Sequence, residues 1–146
     1  MLRLVSITGI ALAMVIGFVA LSTQMRDDFY MRTKVAEAAS HLTAVAKQEL
    51  NCGSADMAER DADLRASKPA ILSSVSYEKT DSNAINVVGV FYATKGESGK
   101  LRIKQGRKFT VNCLCNENSL QCKRGFTDIN KNYIPHLSTD NQTKDK

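Results

Sequence analysis

Leu4-Val5-Ser6-Ile7-Thr8-Gly9-Ile10-Ala11-Leu12-Ala13-Met14-Val15-Ile16-Gly17-Phe18-Val19-Ala20-Leu21-Ser22-Thr23-Gln24-Met25 carries no charged side chain; Arg3 precedes it and Arg26-Asp27-Asp28 follow. As a helix the run is roughly 33 Å long at 1.5 Å per residue, enough to cross a bilayer core of about 30 Å. A helix resting on a globular core needs one apolar stripe, whereas a helix in lipid or among other helices is apolar all round. The run therefore predicts an exported or anchored chain. A retained anchor is favoured, because the helical pattern continues past it. The alternative is cleavage at Ala20-Leu21-Ser22, a small-x-small signal behind a thin basic region at Arg3.

Beyond the run the pattern becomes amphipathic. Val35, Ala38, Ala39, Leu42, Val45, Ala46 and Leu50 recur at steps of three and four, while Arg32, Lys34, Glu37, Lys47 and Glu49 mostly fall elsewhere. No Pro or Gly interrupts the chain between Phe18 and Leu50, and Asn51-Cys52-Gly53 supplies a stop. One helix from near Leu4 to Leu50 is expected, apolar all round in its first half and striped in its second.

Residues 54–68 are polar, with a short helical turn around 58–64, and Pro69 resets the backbone to extended geometry. β character follows at 71–77, most strongly at 84–93, then at 101–104, and in a fourth strand where Phe109, Val111, Cys113 and Cys115 share one face. The turns Lys95-Gly96-Glu97-Ser98-Gly99-Lys100 and Gln105-Gly106-Arg107 join them as an antiparallel meander. The expected fold is α+β, a roll in which a long N-terminal helix packs on an antiparallel sheet of about four strands. Its parts are an anchor half (1–26), a spine helix (27–50), a connecting loop (51–70), the sheet (71–115), a cysteine-bounded loop (116–138) and a disordered tail (139–146). Asn141-Gln142-Thr143 matches the glycosylation sequon, a weak three-residue signal.

Four cysteines in a short exported domain predict two disulfides. Cys113 and Cys115 lie two apart on a strand, share a face and cannot easily bond each other. Turn chemistry at Asn116-Glu117-Asn118-Ser119 favours a Cys115–Cys122 staple, leaving Cys52 for Cys113. The swap, Cys52–Cys115 with Cys113–Cys122, is the next choice. A zinc site built from these cysteines and His136 is poorly spaced.

No enzyme signal is present. His41 and His136 have no nucleophile or carboxylate pair in a recognised arrangement, and there is no Cys-x-x-Cys motif or phosphate-cradling glycine loop. No catalytic residue, cofactor or metal is therefore expected. The net charge of +5 is densest at Lys95, Lys100, Arg102, Lys104, Arg107 and Lys108, with Phe91 and Tyr92 close in sequence. These six form a candidate patch for DNA or another anion. An exposed, solvated hairpin is the favoured reading of the same charges.

The stretch Asp28-Phe29-Tyr30-Met31-Arg32-Thr33-Lys34-Val35-Ala36-Glu37-Ala38 resembles the Asp-Tyr-x-x-Arg-Ser-Lys-Val-x-Glu-Ala stretch of type IV pilins, where the pilin helix leaves its membrane-embedded half. Thr110-Val111-Asn112-Cys113-Leu114-Cys115 followed by Asn132-Tyr133-Ile134-Pro135 is similar to the Trp-x-Cys strand and Lys-Tyr-Leu-Pro segment of that family. The resemblance implies a structural subunit of a type IV pilus or related filament, serving assembly, adhesion or motility. Its partners would be other pilin subunits and the assembly machinery, met through the N-terminal helix, and the membrane. Its place would be the bacterial inner membrane facing the periplasm, or the pilus itself. The chain departs from the family at Arg3, where a Phe is expected, at Ile7, where pilins carry the assembly Glu, and at Gln24, where they carry a Pro. Ser138 stands where their last cysteine would be. A buried carboxylate needs a positive partner, and Ile7 removes that requirement. The alternatives are an anchored pilin-fold accessory protein that binds DNA or subunits without polymerising, and a secreted, disulfide-stapled binding domain.

Overall fold

The computed structural model describes residues 2–52, 68–116, 119–135 and 137, with side chains from residue 14 onward. In chain order these form α1 (Leu2–Glu49), β1 (Leu72–Asp81), β2 (Ala84–Phe91), β3 (Thr94–Lys95), β4 (Leu101–Ile103), β5 (Lys108–Asn116), β6 (Ser119–Thr127) and a 3-10 turn (Lys131–Tyr133). The expected turn around 58–64, His136, the sequon and the tail at 139–146 lie outside the described residues.

Helix α1 is one continuous element of 48 residues, about 72 Å long. It stops as its sequence predicts, with one refinement. Asn51 takes the left-handed conformation, at φ 51°. The Cys52 N–H then donates to the Lys47 carbonyl at 3.0 Å and the Asn51 N–H to the Gln48 carbonyl at 3.2 Å, the paired bonds of a Schellman cap. This cap turns the chain so that Cys52 leaves the helix toward the sheet.

The helix packs on one face of a four-stranded antiparallel sheet, ordered β1-β2-β5-β6. Alternation decides which side chains meet it: Ile85, Val87 and Phe91 of β2 and Phe109, Val111 and Cys113 of β5 are buried. Opposite them lie Met31, Val35, Ala38, Ala39, Leu42, Val45 and Ala46, the stripe legible in the sequence apart from Met31 at its start. Leu42 of the helix packs over Gly89, where a Cβ would lie 3.1 Å from the Leu42 and Leu72 methyls. A larger side chain there is disfavoured by close approach rather than by backbone conformation.

Two strand expectations are corrected. Residues 101–103 do not join the main sheet; β4 pairs only with β3, making a separate hairpin. The fourth strand is instead β6, inside the segment expected to be a cysteine-bounded loop. Three residues cannot supply an edge to the nine-residue β5, whereas Ser119-Leu120-Gln121-Cys122-Lys123 alternates polar and apolar and pairs with β5 residue for residue.

The cysteine pairing is corrected with it. The structure joins Cys52 to Cys115 and Cys113 to Cys122, not Cys52 to Cys113 and Cys115 to Cys122. Register is the cause. Asn116 pairs with Ser119, so Cys115 faces Leu120 and Cys113 faces Cys122, with Cα atoms 4.1 Å apart. Cys122 is thereby taken, and Cys115 is left for Cys52 at the helix end.

Candidate functional site

The first half of α1 stands clear of the head. Met14, Val15, Ile16, Phe18, Val19, Leu21 and Met25 are all exposed, from 56% for Val19 to 74% for Phe18. At 100° per residue these positions, together with the exposed Gly17 and Ala20, point in every direction around the axis. Polar groups in the segment are satisfied locally: the Ser22 and Thr23 hydroxyls each donate to the Val19 carbonyl at 2.9 Å. Such a surface offers apolar area on every side and no unpaired hydroxyl at those two positions. Among the described residues no helix is long and apolar enough to cross a membrane, and the side chains of residues 4–13 of the run lie outside them.

The junction between the bare half and the packed half is built on Asp27, whose side chain is buried. The Ser98 N–H donates to Asp27 Oδ1 at 2.7 Å, and the Ser98 hydroxyl donates to Oδ2. Arg102 donates to the same Oδ2 from Nε at 3.0 Å and from Nη2 at 2.6 Å. These donors hold the Asp27 carboxyl down to about 2, with the Ser98 hydroxyl contributing most, then Arg102, then the Ser98 amide. The Arg102 guanidinium is in turn held more firmly protonated by Asp27.

The β3–β4 hairpin reaches Asp27 because of two glycines. Gly99 turns the chain at φ 80°, a conformation side chains disfavour. Gly96 is packed directly on the carboxyl: a Cβ there would lie 2.7 Å from Asp27 Cγ. An exposed ion pair, Arg26 Nε to Glu97 Oε2 at 3.8 Å, flanks the contact and contributes little by itself. One turn further on, Arg32 Nε donates to the Asn132 carbonyl at 2.7 Å and ties the C-terminal 3-10 turn to the helix.

The packed half of α1 is thus fastened at both ends, by the hairpin at Asp27 and by the Cys52–Cys115 disulfide. Between Asp27 and Glu49 the helix runs about 33 Å. Fixing both ends of a rigid rod also fixes the direction in which its free half leaves the head.

Of the six cations singled out in the sequence, the two arginines have carboxylate partners. Arg102 is engaged by Asp27, and Arg107 Nη1 lies 3.6 Å from Asp128 Oδ2. The Lys108 N–H donates to Asp128 Oδ1 at 2.5 Å. Lys95, Lys100, Lys104 and Lys108 are exposed, spread over two separate turns. Phe91, counted as an aromatic neighbour of this patch, is fully buried, while Tyr92 is exposed. His41 is buried in the helix–sheet layer. Among the described residues no group of His, Cys, Asp and Glu side chains is placed to hold a metal ion.

Asp27, Gly96 and Ser98 were not singled out as site residues from the sequence. One signal was present: an Asp inside a continuous helix, two residues past an uncharged run, paired with a Gly-x-Ser-Gly turn and an Arg shortly after it. Their meeting spans 71 and 75 residues of chain, and no local pattern encodes that distance. Compared with protein-family models, curated proteins and solved structures, the chain matches none.

Proposed function

We propose that this chain is a pilin-like structural subunit, with its apolar helix half placed in the bacterial inner membrane or among the helices of neighbouring subunits in a filament. The observation that carries the reading is one helix in two regimes: buried on the sheet from Met31 to Ala46, and apolar and uncovered on every side from Met14 to Met25. Burying a large apolar side chain contributes about 1.5–3 kcal/mol. Covering the seven exposed ones named above is therefore worth on the order of 10 kcal/mol, a strong drive into lipid or a helix bundle. The Asp28 to Ala38 resemblance supports a pilin rather than an unrelated anchored domain. Aiming the free half by fastening the packed half at both ends is what a building block needs, since a hinged helix would set no repeat.

Ile7 favours a second form of the same reading, a subunit anchored in the membrane and not polymerised, because it supplies no carboxylate to draw a neighbour's amine into register. One experiment separates the forms. Among the described residues no cysteine is free, so Ile16→Cys introduces a single reactive thiol. Cells carrying it are fractionated and treated with a thiol-specific bifunctional crosslinker. A crosslinked dimer in a sheared surface fraction, the largest product that one thiol per chain allows, supports the filament subunit, and membrane-bound monomer supports the unpolymerised form. Chain recovered only in the soluble fraction would overturn both.

A further inference from the structure

We infer that the base of the head, where α1 emerges, is a lipid-facing surface that rests on anionic phospholipid headgroups. The inference builds on the proposed membrane placement of the apolar half. Phe29 is 74% exposed, Tyr30 38% and Tyr92 48%, large values for aromatic rings on a folded head. They are not scattered. Tyr30 and Lys34 line two adjoining recesses, one completed by Tyr92 and Lys95 and the other by Met25 and Phe29.

Depth along the helix places this surface. Phe29 and Tyr30 lie about 6 and about 8 Å beyond Met25 on the helix axis. The headgroup layer is about 5–8 Å thick on each side of the hydrocarbon. With the uncharged run in the bilayer, these two rings fall in that layer, where aromatic side chains concentrate. The hairpin tip is held at the same level, because Ser98 binds Asp27 and Glu97 lies beside Arg26. That lock carries Lys95 and Lys100, both exposed, on either side of the tip. Arg26 and Lys34 are matched by Glu97 and Glu37, so Lys95 and Lys100 supply the local positive surplus. Flexible lysines beside aromatic rings suit a negatively charged lipid surface.

The chain contains no tryptophan, so single substitutions report depth without background. Full-length chains carrying Tyr92→Trp, Phe18→Trp or Leu114→Trp are reconstituted into vesicles of phosphatidylcholine, with or without phosphatidylglycerol. Leu114 precedes Cys115, bonded to the far end of the helix, and serves as the distant control. The indole at position 92 should be blue-shifted and quenched by lipids brominated near the headgroup when phosphatidylglycerol is present. The indole at 18 should be quenched by deeply brominated lipids, and the one at 114 by neither. Adding Lys95→Glu and Lys100→Glu should abolish quenching at 92 and leave quenching at 18 intact.

Quenching at 18 with none at 92 would overturn the lipid-facing base and leave the anchor standing. No quenching at 18 would remove the anchor, and the base with it. Quenching at 92 that survives charge reversal would overturn the headgroup assignment. If the same reversal instead abolished retention of duplex DNA, the two lysines would belong to a nucleic-acid surface and the inference would be wrong.

Discussion

Substitutions at Leu42 and Gly89 test the packing on which every other statement about the helix rests. Leu42 is fully buried, and both of its methyl groups lie 3.1–3.2 Å from where a Cβ on Gly89 would stand. Leu42→Ala removes a packed side chain and should cost about 2–5 kcal/mol, with the cavity accounting for part of it. Gly89→Ala inserts a methyl into filled space. The Leu42 and Leu72 methyls must each give by a few tenths of an ångström, which costs about 1–3 kcal/mol by overpacking. The lower backbone entropy of alanine in a strand offsets about 0.5–1 kcal/mol of that. In the double variant the new methyl occupies part of the space Leu42 has left, so the combined loss should be smaller than the sum. A favourable coupling of about 1 kcal/mol is expected, within the range of about 0.5–3 kcal/mol typical of residues in contact. Urea unfolding of the full chain in detergent, with disulfides intact and followed by circular dichroism, gives the three changes from midpoints at constant slope. Additivity within about 0.3–0.5 kcal/mol would mean that Leu42 and Gly89 do not touch and that the helix crosses the sheet elsewhere.

Peptide mapping without reduction should yield Cys52–Cys115 and Cys113–Cys122 alone. By loop-closure entropy, serine substitution of the first pair, which spans 63 residues, should cost about 4 kcal/mol, against about 2.5 kcal/mol for the second, which spans 9. The reverse order in urea midpoints would contradict the assigned pairing. The folded state holds Asp27 at about 2, below the ordinary carboxylate pKa near 3.9, so its contribution is fully present above pH ~4 and lost as pH falls toward 2. Protection of the Ser98 amide from hydrogen exchange, relative to its intrinsic rate at each pH, should fall over that window in the native chain, whereas Asp27→Asn should leave it weakly protected at every pH. Gly96→Ala puts a Cβ 2.7 Å from Asp27 Cγ and should raise trypsin cleavage at Lys95 and Lys100 as much as Asp27→Asn does. Additive effects of the two would show that the glycine and the carboxylate act separately.

The helix was legible almost to the residue, because an uncharged run and a stripe at steps of three and four are both local signals within one unbroken stretch. The stop at Asn51-Cys52-Gly53 was legible for the same local reason. The fold class, a helix on a four-stranded antiparallel sheet, also followed from pattern. Which segment supplied the fourth strand did not, because Leu101-Arg102-Ile103-Lys104 alternates as well as Ser119 to Lys123 does. Only the pairing of Asn116 with Ser119 selects β6, and that same register reassigns the cysteines. A two-residue turn centred on 117–118 would have placed Cys113 opposite Cys122, so this signal was present in the sequence but outweighed by the proximity of Cys115 to Cys122.

By itself the sequence determined the long helix, its division into a bare half and a striped half, and the sheet it would need, because hydrophobic periodicity acts over single turns and strands. Tertiary structure alone decided what Asp27, Gly96, Ser98 and Arg102 do. A carboxylate next to an apolar run could have faced solvent, and an arginine in a basic stretch could have stayed with the lysines. Packing brought them together across more than 70 residues, and burial then made their hydrogen bonds specific. The direction of the free helix half follows from that meeting, since charge and geometry at one long-range contact are invisible to any local reading.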